Sequence, residues 1–125
     1  DDGMSSPTQQ KAISRHELTF SLEELFASAS RLLKDRGDLF LVHRPHRLVD
    51  LLVAARAHDL EPKTLRFVHP KDGEAPNILL LHCKKRGRPE LKFMPPLVVY
   101  NERGDYTEAI HEIYRSARID TFEGR

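Results

Sequence analysis

Between residues 39 and 83 this chain sets short, continuous apolar runs against one-sided helical stripes, and that alternation leaves few folds open. Leu39-Phe40-Leu41-Val42 follows Gly37 and is too short for a helix of its own. A continuous run of this kind suits a strand covered on both faces, as in a parallel sheet packed between helices. Ahead of it, Leu22, Leu25, Phe26, Ala29, Leu32 and Leu33 recur at helical spacing. Ser21 and Glu24 begin that stripe as a capping box, and Gly37 is its expected stop. Behind the run, Leu48, Val49, Leu51, Leu52, Val53, Ala54 and Ala55 give a second helix, which Pro62 cannot continue.

Lys63 to His69 reads as a second strand, with Leu65, Phe67 and His69 on one face and Arg66 and Val68 on the other. A turn-rich loop, Pro70 to Pro76, leads to a third strand at Ile78 to Cys83, broken by Gly87, Arg88 and Pro89. Leu91 to Met94 returns as a short partner, Leu97 to Tyr100 is extended, and Asp105 to Arg115 is helical, with Tyr106, Ile110, Ile113 and Tyr114 on one side. A helix between the first two strands implies a crossover and a parallel pair. The short loop between the second and third implies an antiparallel pair. The expected fold is α/β: parallel strands plus one antiparallel strand near the sheet edge, flanked by helices.

Composition limits what such a sheet can do. The chain has 125 residues, 39% hydrophobic and 31% charged, enough for one small domain. A net charge of +1 does not by itself mark a nucleic-acid binder, so the distribution of charge carries the argument. No apolar run is long enough to span a membrane, and no secretory leader precedes the first helix. The single cysteine, Cys83, rules out an internal disulfide and favours a cytoplasmic setting. Asp1 to Gln10 has a loop composition, as in a segment cut from a larger protein or in a tagged or processed start.

Ligands of open α/β sheets sit at the carboxyl ends of the parallel strands. Here those ends run into His43-Arg44-Pro45-His46-Arg47 and into His69-Pro70-Lys71-Asp72, both basic. They read either as an anion-facing surface or as solvated loops capping the next element. The His43-x-x-His46 spacing lacks further ligands for a metal. Lys84-Lys85-Arg86-Gly87-Arg88 is the densest basic segment. It could meet phosphates or simply guard a sheet edge with charge. Tyr100 and Phe93 could stack on a base or belong to the core. His82 and Cys83 are neighbours in a strand and point to opposite faces, which argues against a Cys/His nucleophilic pair. No Gly-rich phosphate loop and no G-x-S-x-G elbow occur. The residues supply surfaces and no complete active site.

Several segments resemble the C-terminal part of a bacterial family of tRNA adenine-N6 methyltransferases, the group acting beside the anticodon of valine tRNA. They are Ala12-Ile13-Ser14-Arg15-His16-Glu17, Val42-His43-Arg44-Pro45-His46-Arg47-Leu48, Leu60-Glu61-Pro62-Lys63, His69-Pro70-Lys71, Ala75-Pro76-Asn77-Ile78-Leu79-Leu80 and Met94-Pro95-Pro96-Leu97-Val98-Val99-Tyr100-Asn101. The resemblance covers nearly everything after Gln10. It implies the C-terminal half of a Rossmann-like, seven-stranded class I fold whose last strand is antiparallel. It also implies methyl transfer from S-adenosylmethionine to an exocyclic amine. The Gly-rich cofactor loop, the acidic ribose-binding residue and the Asn-Pro-Pro-Tyr motif of that family are absent, so no catalytic, cofactor or metal residue carries over.

On the resemblance, residues 1–14 are a polar loop after the missing catalytic motif, 15–116 the half-domain and 117–125 a tail. Arg15, His16 and Glu17 are expected near the active-site mouth. His43, Arg44, His46, Arg47, Lys71, Asn77, Lys84, Lys85, Arg86 and Arg88 are expected to face RNA. The parent would be a tRNA-modifying enzyme; the chain alone would be inactive and would not bind S-adenosylmethionine. Its expected partners are tRNA or another nucleic acid, and the missing N-terminal half. A different reading is a non-catalytic module that binds RNA or pairs with its own copy through an open sheet edge.

Overall fold

The computed structural model describes residues 21–123, with side chains to residue 117. Arg15, His16 and Glu17 lie outside the described residues. The first helix, α1 (Leu22–Leu32), opens on the expected capping box: Ser21 Oγ accepts from Glu24 N at 3.1 Å, and Ser21 N donates to Glu24 Oε1 at 3.2 Å. At its other end the Lys85 ammonium donates to the carbonyls of Ser30 (2.5 Å) and Leu33 (2.8 Å). The helix stops short of Gly37, and Arg36 rather than the glycine adopts a left-handed φ of 71°. Gly37 is needed for space instead, since a Cβ there would sit 2.9 Å from the Lys34 carbonyl.

Strand β1 (Asp38–His43) leads through a 3-10 turn, Pro45–Arg47, into α2 (Leu48–Ala57). Strand β2 (Leu60–Lys71) begins three residues before the expected Lys63. Asp59, at φ 61°, turns the chain sharply out of α2, so the helix ends well before Pro62. Pro62 is held inside the strand beside a register shift between Pro62 and Thr64, a bulge that accommodates its missing N–H. Strand β3 (Ile78–Lys85) returns antiparallel to β2, and the short β4 (Lys92–Phe93) and β5 (Leu97–Tyr100) both run parallel to β2.

The last helix, α3 (Glu108–Glu123), starts three residues later than Asp105. Thr107 wins the cap because its hydroxyl serves twice: it donates to Val98 O at 2.6 Å and accepts from Ile110 N at 3.4 Å. Tyr106 therefore lies outside the helix, bridged to Tyr100.

The sheet runs β1-β3-β2, with β4 and β5 on the far side of β2. The reversed strand β3 is thus one in from the β1 edge, as expected near the edge, and lies between two strands of the same direction. β1 and β2 run in the same direction but are not neighbours, because the β2–β3 hairpin folds β3 into the gap between them. The ladder sets Leu39 and Leu41 of β1 beside Cys83 and Leu81 of β3, which face Pro62 and Leu65 of β2. On that face Phe26 of α1 and Leu51, Ala54 and Ala55 of α2 complete a buried core with Leu60, Leu65, Leu79, Leu81 and Cys83. Each large apolar side chain so buried contributes about 1.5–3 kcal/mol. The opposite face of β1 departs from the expectation of cover on both sides: Phe40 is 73% exposed and Val42 68%.

Candidate functional site

Because β1 and β2 are both antiparallel to β3, and β5 is parallel to β2, the ends of β1, β2 and β5 emerge on one edge of the sheet. β3 runs the other way, so Asn77, just before its start, reaches the same edge. The topology therefore gathers His43, Arg44, His46, Arg47, His69, Lys71, Asn77 and Tyr100 there. Val42, His43, Arg44, Arg47, Asn77 and Ile78 line an open hollow of about 780 Å³.

Local structure fixes several of these groups. Pro45 opens the 3-10 turn, where its lack of an N–H costs nothing. Arg44 N donates to His43 Nδ1 at 2.9 Å, so a neutral His43 carries its proton on Nε2. His69 takes the other tautomer: its Nδ1 lies 2.7 Å from the Glu74 carbonyl, which can only accept. Arg47 is paired with Asp50, Nε to Oδ2 at 2.8 Å. The side chains of Arg44 and Lys71 are both exposed and have no partner among the described residues. Among those residues no three His, Cys, Asp or Glu side chains gather as a metal site.

The dense basic segment is elsewhere. β3 carries Lys84 and Lys85 to the opposite edge, with Arg86 and Arg88 beyond, so these four do not join the strand-exit cluster. Three of the four side chains are engaged there by the fold, and the Arg88 side chain is exposed. Lys84 Nζ binds Asp38 Oδ1 at 2.8 Å and Arg36 O at 3.2 Å. Lys85 closes α1, Arg86 Nε meets Asp35 at 3.0 Å, and the Arg88 carbonyl accepts from Lys63 at 2.7 Å. Asp38 also takes His82 Nε2 at 2.8 Å, and Phe40 stacks on the His82 ring at 4.5 Å. The Lys84 hydrogen bond, followed by that of His82, holds the Asp38 carboxyl below its usual range.

The sequence reading missed two features. One is the Asp38–His82–Lys84 cluster, which only the β1–β3 register brings together. The other is the role of Tyr106, read as a helix residue. The Asn101-x-x-Gly104-Asp105 spacing, a turn signal, would have placed it before the helix.

Nothing in the strand-exit hollow fits S-adenosylmethionine. A ribose calls for an acidic partner and a sulfonium for the absence of cations, whereas the hollow is lined by two arginines, a histidine and no carboxylate.

The fold defines a class. The chain superposes on a predicted O-methyltransferase from Agrobacterium tumefaciens with a TM-score of 0.67 at 23% identity, over 73% of this chain and 44% of that one. Its α/β architecture is that of part of that protein's Rossmann-like sheet. No family model matches the chain. Curated sequences narrow the class. The chain is 36% identical over 77 residues to a tRNA1(Val) (adenine(37)-N6)-methyltransferase of Porphyromonas gingivalis W83, covering 62% of this chain and 30% of that protein. It is 30% identical over 83 residues to the protein of the same name from Phocaeicola vulgatus, covering 66% of this chain and 36% of that one. The chain is thus a relative of these methyltransferases and spans about a third of their length.

Proposed function

We propose that this chain is the C-terminal part of an S-adenosylmethionine-dependent methyltransferase that modifies N6 of an adenine in tRNA. Its strand-exit edge supplies the RNA-facing rim, and its core supports the catalytic half. The observation that carries this is the gathering of His43, Arg44, Lys71 and Asn77 on one edge, with two cations unpaired among the described residues. Unpaired exposed cations are free to neutralise phosphates, and such contacts set position and affinity rather than sequence. Sequence kinship to the tRNA methyltransferases supports the substrate class. In the whole enzyme S-adenosylmethionine would supply the methyl group; none of the described residues is assigned to it. By the family resemblance Arg15, His16 and Glu17 belong at the active-site mouth. The compartment follows from the substrate, since a tRNA is met in the cytoplasm. No described helix is long and apolar enough to cross a membrane.

The test is the salt dependence of tRNA binding. Replacing Arg44 and Lys71 by Ala together in the whole enzyme should weaken binding and lower the slope of log affinity against log salt, by roughly 0.7–0.9 for each phosphate no longer neutralised. Affinity that stays unchanged at every salt concentration would remove the rim from the interface.

One observation favours a second reading, a non-catalytic module that pairs with its own copy. The outer edge of β1 carries no strand among the described residues and presents the exposed Phe40 and Val42.

A further inference from the structure

The strand-exit edge carries an aromatic feature beside its cationic one. Tyr100, at the end of β5, and Tyr106 stack with ring centroids 5.4 Å apart and planes within 17°. His111 meets Tyr106 edge-on at 6.3 Å. Both tyrosines remain exposed, 39% and 52%.

Their placement does not come from burial in the core. Asn101 N donates to Asp105 O at 2.8 Å, and Asn101 Oδ1 accepts from Arg103 N at 2.9 Å and from Asp105 N at 3.0 Å. Gly104, at φ 88°, closes the turn, and Thr107 N binds Val99 O at 3.0 Å. This backbone network fixes Tyr106 opposite Tyr100 before any ligand arrives. An aromatic pair of this kind adds only about 0.5–1.5 kcal/mol to stability, and the turn is already closed by those hydrogen bonds.

The surroundings point to a ligand. In the β2–β5 ladder Lys71 is the register partner of Tyr100, so the two side chains share a face of the sheet. His69, two residues earlier, shares that face, as does His43, which continues the row of Leu39 and Leu41 on β1. From β1 to β5 the edge spans three strand spacings, about 14 Å. A stacked strand rises about 3.4 Å per nucleotide, so the edge meets several. Exposed rings set beside unpaired cations are the arrangement that binds single strands, bases on the rings and phosphates on the cations.

We infer that the Tyr100–Tyr106 pair is a stacking platform for an unpaired base of single-stranded RNA whose phosphates lie along Lys71 and Arg44. The inference rests on the nucleic-acid reading of this edge and adds to it a site for the base.

The test uses the whole chain, whose fluorescence comes from three tyrosines and no tryptophan. One probe is an octamer of riboadenylate; the other is an abasic phosphodiester octamer of equal charge. The riboadenylate should bind about tenfold more tightly, the advantage expected of one stacked base, and should quench tyrosine emission where the abasic strand does not. Tyr106→Leu should erase the advantage and leave abasic binding unchanged, whereas Tyr106→Phe should keep it. Equal affinity of the wild-type chain for the two octamers, or quenching by neither, overturns the platform regardless of how the variants fold. Binding of both octamers with a normal salt slope but no preference fails the platform and leaves the cationic rim standing. Salt-independent or absent binding of both fails the rim as well, and the platform with it.

Discussion

Cys83 shows how one residue's chemistry is set by its place in the ladder. It is fully buried on β3, paired with Leu39 on one side and Pro62 on the other. Burial, and then the charge of Glu61, push its thiol up to about 12. Because the thiolate is the nucleophile, native Cys83 should not react with a disulfide reagent at pH 8 and should react stoichiometrically in guanidinium. Rapid labelling of the folded chain would show that the core opens there. Asp38 behaves in the opposite sense, since its folded pKa is depressed below the usual 3.8 by Lys84 and then by His82. Such a carboxylate favours the fold while ionised. Its contribution is present above the unfolded value and is lost as pH falls through the folded one. Urea unfolding followed from pH 6 downward should show a shallower loss of stability below about pH 4 for Asp38→Asn than for the wild type, and identical slopes would remove the pair from the acid response. Asp38 is an exposed group, so the effect sits in the slope rather than in a large change at neutral pH.

The elements were legible where a local rule decides them. Ser21 and Glu24 announced α1 because a capping box is read within four residues, and the same closeness makes it testable. Ser21→Ala should cost about 1 kcal/mol of stability in urea unfolding with m unchanged, and a neutral result would mean that Lys85 and the core fix the helix without its cap. The antiparallel β2–β3 hairpin was equally legible, since a short loop leaves no other choice. What local rules cannot reach is neighbourhood. The insertion of β3 between β1 and β2 depends on which flank of β2 the hairpin occupies, and no periodicity records that. Boundaries failed where a residue had two uses. Pro62 reads as a breaker but sits in a bulge, and Asp105 reads as a cap while the Thr107 hydroxyl, bonded to Val98 O as well, holds that place. The candidate site was half legible for the same reason. His43, Arg44 and Lys71 could be placed by strand direction, and Asn77 was named only through the resemblance; the antiparallel β3 that brings Asn77 to that edge also carries Lys84 and Lys85 to the other, a consequence of strand direction that the sequence reading did not draw.

At the scale of the molecule, the two flanks of the sheet differ among the described residues. β4 and β5 cover the outer side of β2 with short, parallel segments. β1 presents its free backbone N–H and C=O groups with no partner strand among the described residues. Natural sheets blunt such an edge with lysines, prolines or bulges, and β1, reading Asp-Leu-Phe-Leu-Val-His, has none of these. Two copies could pair antiparallel about Leu41, which would set Phe40 of each opposite Val42 of the other and cover apolar surface that is 73% and 68% exposed in the single chain. The expected outcome is an s-value that rises with concentration in sedimentation velocity, toward a dimer. Phe40→Lys should hold the chain monomeric, because a charge facing the apolar Val42 has no partner there. The same change should lower the melting temperature only slightly, since it loses the stack on His82 but replaces a side chain that is largely in water. A wild-type chain that stays monomeric at high concentration would mean that the edge is sufficiently protected by its own twist. The self-pairing reading would then fall, and the RNA-facing rim, which lies at the strand ends and not along β1, would be untouched by that result.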